Sequence, residues 1–170
     1  MRLAELNDVD RARFVHTLGP VFERAAWVAE AAFDARPFPS RDALHAAMLA
    51  VVARAPAARQ IGFLNGHPEL GSRAAVVATL TAESRSEQLS AGLTQLSPDE
   101  FAWFQARNRA YREKFGFPFI IAVRRHSKQG IMDEFERRLA APPDAERAQA
   151  LQEIGWITRL RLDDLVTEGD

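Results

Sequence analysis

Ser97-Pro98-Asp99-Glu100-Phe101 opens the passage that decides the fold, which continues through Phe104 and Tyr111 to Gly116-Phe117-Pro118-Phe119-Ile120-Ile121-Ala122-Val123. Ser at the N-cap, Pro at the first helical position and Glu at the third together satisfy the orphan amides of a helix start. The spacing of Phe101, Phe104 and Tyr111 gives that helix one apolar face, and Gly116 is its expected stop. The segment after Gly116 is short, bulky and partly β-branched, with Pro118 near its start, so residues 117–123 read as extended. No second segment of this kind is present to pair with it. The class expected is therefore all-α, with one extended run whose amides are free to bind carbonyl or carboxylate oxygens in a pocket.

Helical period and helix punctuation continue on both sides of this passage. Asp10 to Leu18 stops at Gly19-Pro20, and Val21 to Phe33 stops before Pro37-Phe38-Pro39. Ser40 reads as an N-cap, followed by Leu44, Met48, Val51 and Val52 on one face and a break at Pro56. Further helices are expected from Arg73 to Leu80, from Ser84 to Ala91 with Gly92 closing it in the left-handed position, and through Ile131, Phe135 and Leu139. Asp144 opens a long final helix with Leu151, Ile154, Ile157 and Leu165 facing inward. No repeat, low-complexity tract or linker interrupts the pattern. Residues 1–170 are expected to form a compact single-domain multi-helix bundle.

Composition narrows the function. The net charge is −1 and the basic and acidic residues are interspersed, which leaves no electrostatic footprint for nucleic acid or an anionic membrane. With no cysteine there is no disulfide, thiolate nucleophile or cysteine-held metal. His16, His45, His67 and His126 form no metal-ligand spacing, and Gly62, Gly66 and Gly71 lack the Lys-Ser/Thr of a phosphate loop. No metal and no cofactor are expected. The strictly apolar run Phe119–Val123 is far below the ~20 residues that span a bilayer. Neither terminus carries a targeting signal, so a soluble, cytoplasmic protein without a membrane partner is expected.

Three polar features stand where a packed core would not want them: His67 in Gly66-His67-Pro68-Glu69-Leu70-Gly71, Glu87 beside Ser84 and Gln88, and Arg161 on an apolar helical stripe. His67 precedes a proline and so belongs to a turn, where it serves either as a backbone-bonded structural residue or as an acid/base. Ser84, Glu87 and Gln88 share one helical face at i, i+3 and i+4, as either a solvated surface or the wall of a site. Arg161 lies four residues after Ile157, and a buried guanidinium requires an internal carboxylate or a bound anion. An imidazole, a carboxylate and a fixed cation are what proton-assisted chemistry on an anionic small molecule needs. The chain reads as an enzyme.

At these residues the chain resembles the 2-oxo-4-hydroxy-4-carboxy-5-ureidoimidazoline (OHCU) decarboxylase family. The resemblance rests on His67-Pro68-Glu69-Leu70-Gly71, Ser84-Arg85-Ser86-Glu87-Gln88, Asn108 to Ile120 with its Tyr111-x-x-Lys114-Phe115-Gly116-Phe117-Pro118-Phe119 block, and Ile157 to Leu162. It implies a helical, commonly dimeric enzyme that decarboxylates OHCU to (S)-allantoin in urate breakdown, without a cofactor. It also implies catalytic roles for His67 and Glu87. Substrate contacts are implied for Pro68, Ser84, Arg85, Ser86, Gln88, Phe119, Ile120, Ile121, Ala122, Val123 and Arg161. A homodimer acting on a small molecule is the expected assembly, and the alternative is a catalytically silent helical binding module of the same fold. Arg124-Arg125 and Ala141-Pro142-Pro143 depart from the family pattern, outside the pocket motifs.

Overall fold

A computed structural model of the chain describes residues 1–72 and 79–168. Nine α-helices occur among the described residues: α1 Leu3–Asp8, α2 Arg11–Leu18, α3 Ala26–Ala32, α4 Arg41–Arg54, α5 Ala57–Asn65, α6 Ala82–Ser90, α7 Pro98–Phe115, α8 Lys128–Leu139 and α9 Pro143–Leu165. Three 3-10 turns, at Gly19–Val21, Phe33–Ala35 and Val123–Arg125, complete the regular structure. The β-type pairing among these residues is a lone bridge between Arg2 and Thr167. The fold is all-α, as expected. No described helix is long and apolar enough to cross a membrane. The helix expected over Arg73–Leu80 falls, for Arg73 to Ala78, outside the described residues.

The chain separates into two compact units, one of Met1–Gly66 with Thr158–Asp170 and one of His67–Ile157. In the first, α2 packs on α3 and α3 on α4, around the buried side chains of Phe14, Leu18, Val28, Leu44 and Met48. Asp10 and Ser40 cap α2 and α4 by accepting from the amides of Arg13 and Ala43. The expected Val21–Phe33 helix is shortened to Ala26–Ala32, because Arg24 takes a left-handed φ of 50° that no helix can run through. Helix α5 has no side-chain cap, since Pro56 stands at its N-cap position, and nothing in the local sequence announces it.

The second unit is built on α7. Ser97 and Glu100 close the reciprocal capping box, and Gly116, at φ 78°, ends the helix in the left-handed region. Helix α6 ends in the glycine motif the sequence announces: Gly92 N–H donates to the Leu89 carbonyl and Leu93 N–H to that of Gln88. Phe104 and Tyr111 are fully buried on α7, whereas Phe101 is only half-buried. Phe119 stacks on Phe135 at 3.9 Å between ring centroids, with the edge of Tyr111 against both. Residues 117–122 lie in no helix and pair with no strand, and Val123 already begins the 3-10 turn that ends the run.

Candidate active site

His67 and Pro68 stand at the head of an irregular loop that runs to Ser72, and His67 is buried. The rest of that loop is held by α6 and α7. Gln88 of α6 uses both ends of its amide: Oε1 accepts from Gly71 N–H at 3.3 Å and Nε2 donates to the Glu69 carbonyl at 3.3 Å. From α7, Asn108 donates to the Leu70 carbonyl at 2.9 Å, Gln105 to the Gly71 carbonyl at 3.3 Å, and Arg112 to the Glu69 carboxylate at 2.9 Å. Gln105, Asn108 and Arg112 are spaced three and four apart, on one face of the helix. Sequence reasoning missed this clamp, although the spacing of three polar residues on a helix that otherwise buries aromatics was its signal.

Gly71 completes the loop, for two separate reasons. Its φ is 63°, and a Cβ built there would lie 2.9 Å from Leu96 Cδ1 and 2.9 Å from Phe104 Cγ.

On α6, Thr81 caps the helix by accepting from Ser84 N–H. Helical period then turns Ser84 and Gln88 inward, leaves Glu87 half-buried beside them, and sends Arg85 and Ser86 to solvent. The same helix packs on the 3-10 turn Val123–Arg125, next to the Phe119–Val123 segment. His67, Glu87 and that segment are thus all carried by one unit, with Gln88 fastening the first to the second. No three His, Asp or Glu side chains come together as metal ligands among the described residues.

The Phe119–Val123 segment has a buried polar lining that the sequence reading did not foresee. Arg138, fully buried on α8, donates from Nη1 to the Ile120 carbonyl at 2.7 Å and lies over the Phe119 ring. Its Nε and Nη2 both meet Glu146 Oε1, at 2.8 and 2.6 Å, and the Tyr111 hydroxyl donates to that same oxygen. Burial and then the bond to Glu146 push the Tyr111 phenol well above its ordinary range. Glu153, four residues after Gln149 on α9, accepts from Ala122 N–H at 2.9 Å and from Gln149 at 3.0 Å. The amide of Ala122 is therefore occupied, whereas those of Phe119, Ile120 and Ile121 make no hydrogen bond among the described residues.

Arg161 belongs to the first unit and is 4% exposed. The internal carboxylate that its burial requires is Glu23, 3.0 Å from Nη1, and the Pro20 carbonyl accepts from the same nitrogen at 3.4 Å. Glu23 also lines a cavity of about 210 Å³ with Arg24, Trp27, Arg59 and Phe63, a space that none of the sequence-predicted site residues line. Arg159, two residues before Arg161 and only half-buried, pairs with Asp42 and Asp163.

The sequence model of the OHCU decarboxylase family matches residues 7–163, and the chain belongs to that family. It is 39% identical over 170 residues to the 2-oxo-4-hydroxy-4-carboxy-5-ureidoimidazoline decarboxylase of Halalkalicoccus jeotgali, covering 100% of this chain and 94% of that protein. Among solved structures it resembles (S)-allantoin synthase, with a TM-score of 0.78 and 26% identity, over 98% of this chain and 54% of that one. It shares the fold of an OHCU decarboxylase crystallised in the presence of (S)-allantoin, with a TM-score of 0.68 and 22% identity over 92% of this chain and 98% of that one.

Proposed function

We propose that this chain is a carboxy-lyase that converts OHCU to (S)-allantoin and CO2, with no cofactor. The observation that carries this reading is the Gln88 clamp, which fastens the His67 loop to the helix bearing Glu87. In OHCU the carboxylate leaves a carbon adjacent to a ring C=N bond. As the C–C bond breaks, its electron pair forms a C=C bond to the neighbouring carbon and the C=N pair moves onto the nitrogen, which takes up a proton as CO2 departs. The resulting enol loses its hydroxyl proton to become the product carbonyl, and the neighbouring carbon takes up a proton. The substrate is its own electron sink, so the protein supplies orientation, desolvation and a proton delivered to one face.

In this mechanism Glu87 orients the 4-hydroxyl and accepts its proton, while protonated His67 delivers one to the carbon that becomes the stereocentre. Pro68, Ser84 and the Phe119–Val123 backbone line the substrate, with Gln88 holding the loop in place, and Arg85 and Ser86 belong to the same segment on its solvent side. The test is to supply freshly generated OHCU and follow CO2 release together with the circular dichroism of the allantoin formed. Turnover to one enantiomer supports the reading, and binding without turnover identifies a silent binding module instead.

Two further outcomes are expected. Activity survives exhaustive dialysis against a chelator, and a loss restored only by a divalent metal overturns the cofactor-free mechanism. Arg161→Ala raises KM more than it lowers kcat if the guanidinium holds substrate oxygens through charge-assisted bonds. An unchanged kcat/KM in a folded variant assigns Arg161 wholly to its pair with Glu23. The protein is further read as a cytoplasmic homodimer, for which light scattering of the purified protein gives the mass.

A further inference from the structure

The Phe119–Val123 segment is held by buried side chains at two consecutive peptide units. The carbonyl of Ile120 is fixed by Arg138, and the N–H of Ala122 by Glu153. In a trans peptide the N–H and C=O point in opposite directions. Fixing the Ile120 carbonyl on Arg138 therefore turns the Ile121 N–H away from Arg138. Fixing the Ala122 N–H on Glu153 likewise turns the Ile121 carbonyl away from Glu153. Both main-chain groups of Ile121 are thus directed off the buried side chains, a donor beside an acceptor. Neither has a hydrogen-bond partner among the described residues, although Ile121 is buried. A buried donor beside a buried acceptor matches a ligand that carries the complementary pair.

We propose that Arg138 and Glu153 are positioning residues that present the Ile121 N–H and C=O to the complementary C=O and N–H of a cyclic ureide. The inference rests on the reading of Phe119–Val123 as a substrate segment. Arg138 is itself oriented, since Glu146 takes its Nε and Nη2 and leaves Nη1 for Ile120. Glu153 is steadied by Gln149. The donor–acceptor pair discriminates because an analogue lacking either group leaves a buried backbone atom unpaired.

Glu153→Gln keeps an oxygen for the Ala122 N–H, and Glu153→Met removes it at similar volume. With OHCU as substrate, the Gln variant is expected to keep KM within about threefold of wild type, while the Met variant raises KM by about tenfold with kcat little changed, the weight of one oriented hydrogen bond. In the empty enzyme the Ala122 amide is expected to exchange its hydrogen at least about tenfold faster in the Met variant than in the Gln variant. A folded Met variant with wild-type KM and wild-type exchange overturns the proposal. If Glu153→Met does not melt cooperatively, Arg138→Lys decides. Lysine lacks the fork that serves Glu146 and Ile120 together, so KM should rise while the melt persists, and an unchanged KM overturns the proposal. If wild type does not turn over OHCU, the functional reading fails, and the exchange comparison still decides whether Glu153 holds the segment.

Discussion

His67→Asn and Glu87→Gln are each expected to slow OHCU decarboxylation by ~100-fold or more, the usual weight of a positioned acid or base. Both replacements keep size and polarity, and Gln88, Gln105, Asn108 and Arg112 still hold the loop that follows His67. Folding should therefore persist. The two groups serve one transition state, so the double variant should be scarcely worse than the more damaged single one. Chirality gives an independent readout. A planar enol protonated by solvent takes the proton from either face and yields a racemate, whereas the enzyme yields one enantiomer. If His67→Asn still made (S)-allantoin at near wild-type rate, the proton would come from another group and the assignment of His67 would be wrong.

The second large effect concerns stability. Glu146→Leu is expected to cost about 3–5 kcal/mol, the range for removing one partner of a buried ion pair. The carboxylate is 1% exposed, and its loss leaves the Arg138 guanidinium and the Tyr111 hydroxyl without their shared acceptor. For a chain of this size that corresponds to a melting temperature lower by on the order of 10 °C. Arg138→Met combined with Glu146→Leu should regain much of the loss, because apolar groups of similar volume replace a buried pair at little net cost. The rescue should not extend to substrate binding, since the double variant still lacks the donor to the Ile120 carbonyl. Stability restored with KM still raised is the expected pattern. A loss below about 1 kcal/mol in the single variant would mean that the pair contributes little over its desolvation cost.

Local signals were the legible ones. The Ser97–Glu100 box, the Ser40 cap and the Gly92 stop each depend on a few adjacent residues, and each appears where the sequence places it. The lone extended run was equally readable, because its bulk and Pro118 set it apart from every helical period. Helix α5 was not, since Ala57–Asn65 carries no side-chain cap and contains Gly62. At the site, the common face of Ser84 and Gln88 followed from spacing alone. The partners of Arg161 did not, because Glu23 is 138 positions away and only tertiary structure brings it near. Arg138 could have been found by the argument applied to Arg161. It stands seven residues after Ile131 and three after Phe135, on the buried stripe of its helix. Reading α9 for leucine and isoleucine hid Glu146 and Glu153, which lie on the buried face with Ala150, Ile154 and Ile157, whereas Leu151 and Leu165 are only half-buried.

Gly71 carries two independent prohibitions, one on its backbone angle and one on its surroundings. Trimming Leu96 leaves the collision with Phe104, trimming Phe104 leaves that with Leu96, and either way the angle stays strained for any side chain. Asparagine, the residue that best tolerates a left-handed angle, still brings the Cβ that has no room. No single substitution at a neighbour opens the position, and no single substitution at Gly71 satisfies it. For sequence drift the site is a dead end in every direction, so the loop that begins at His67 keeps its path only with the one amino acid that has no side chain.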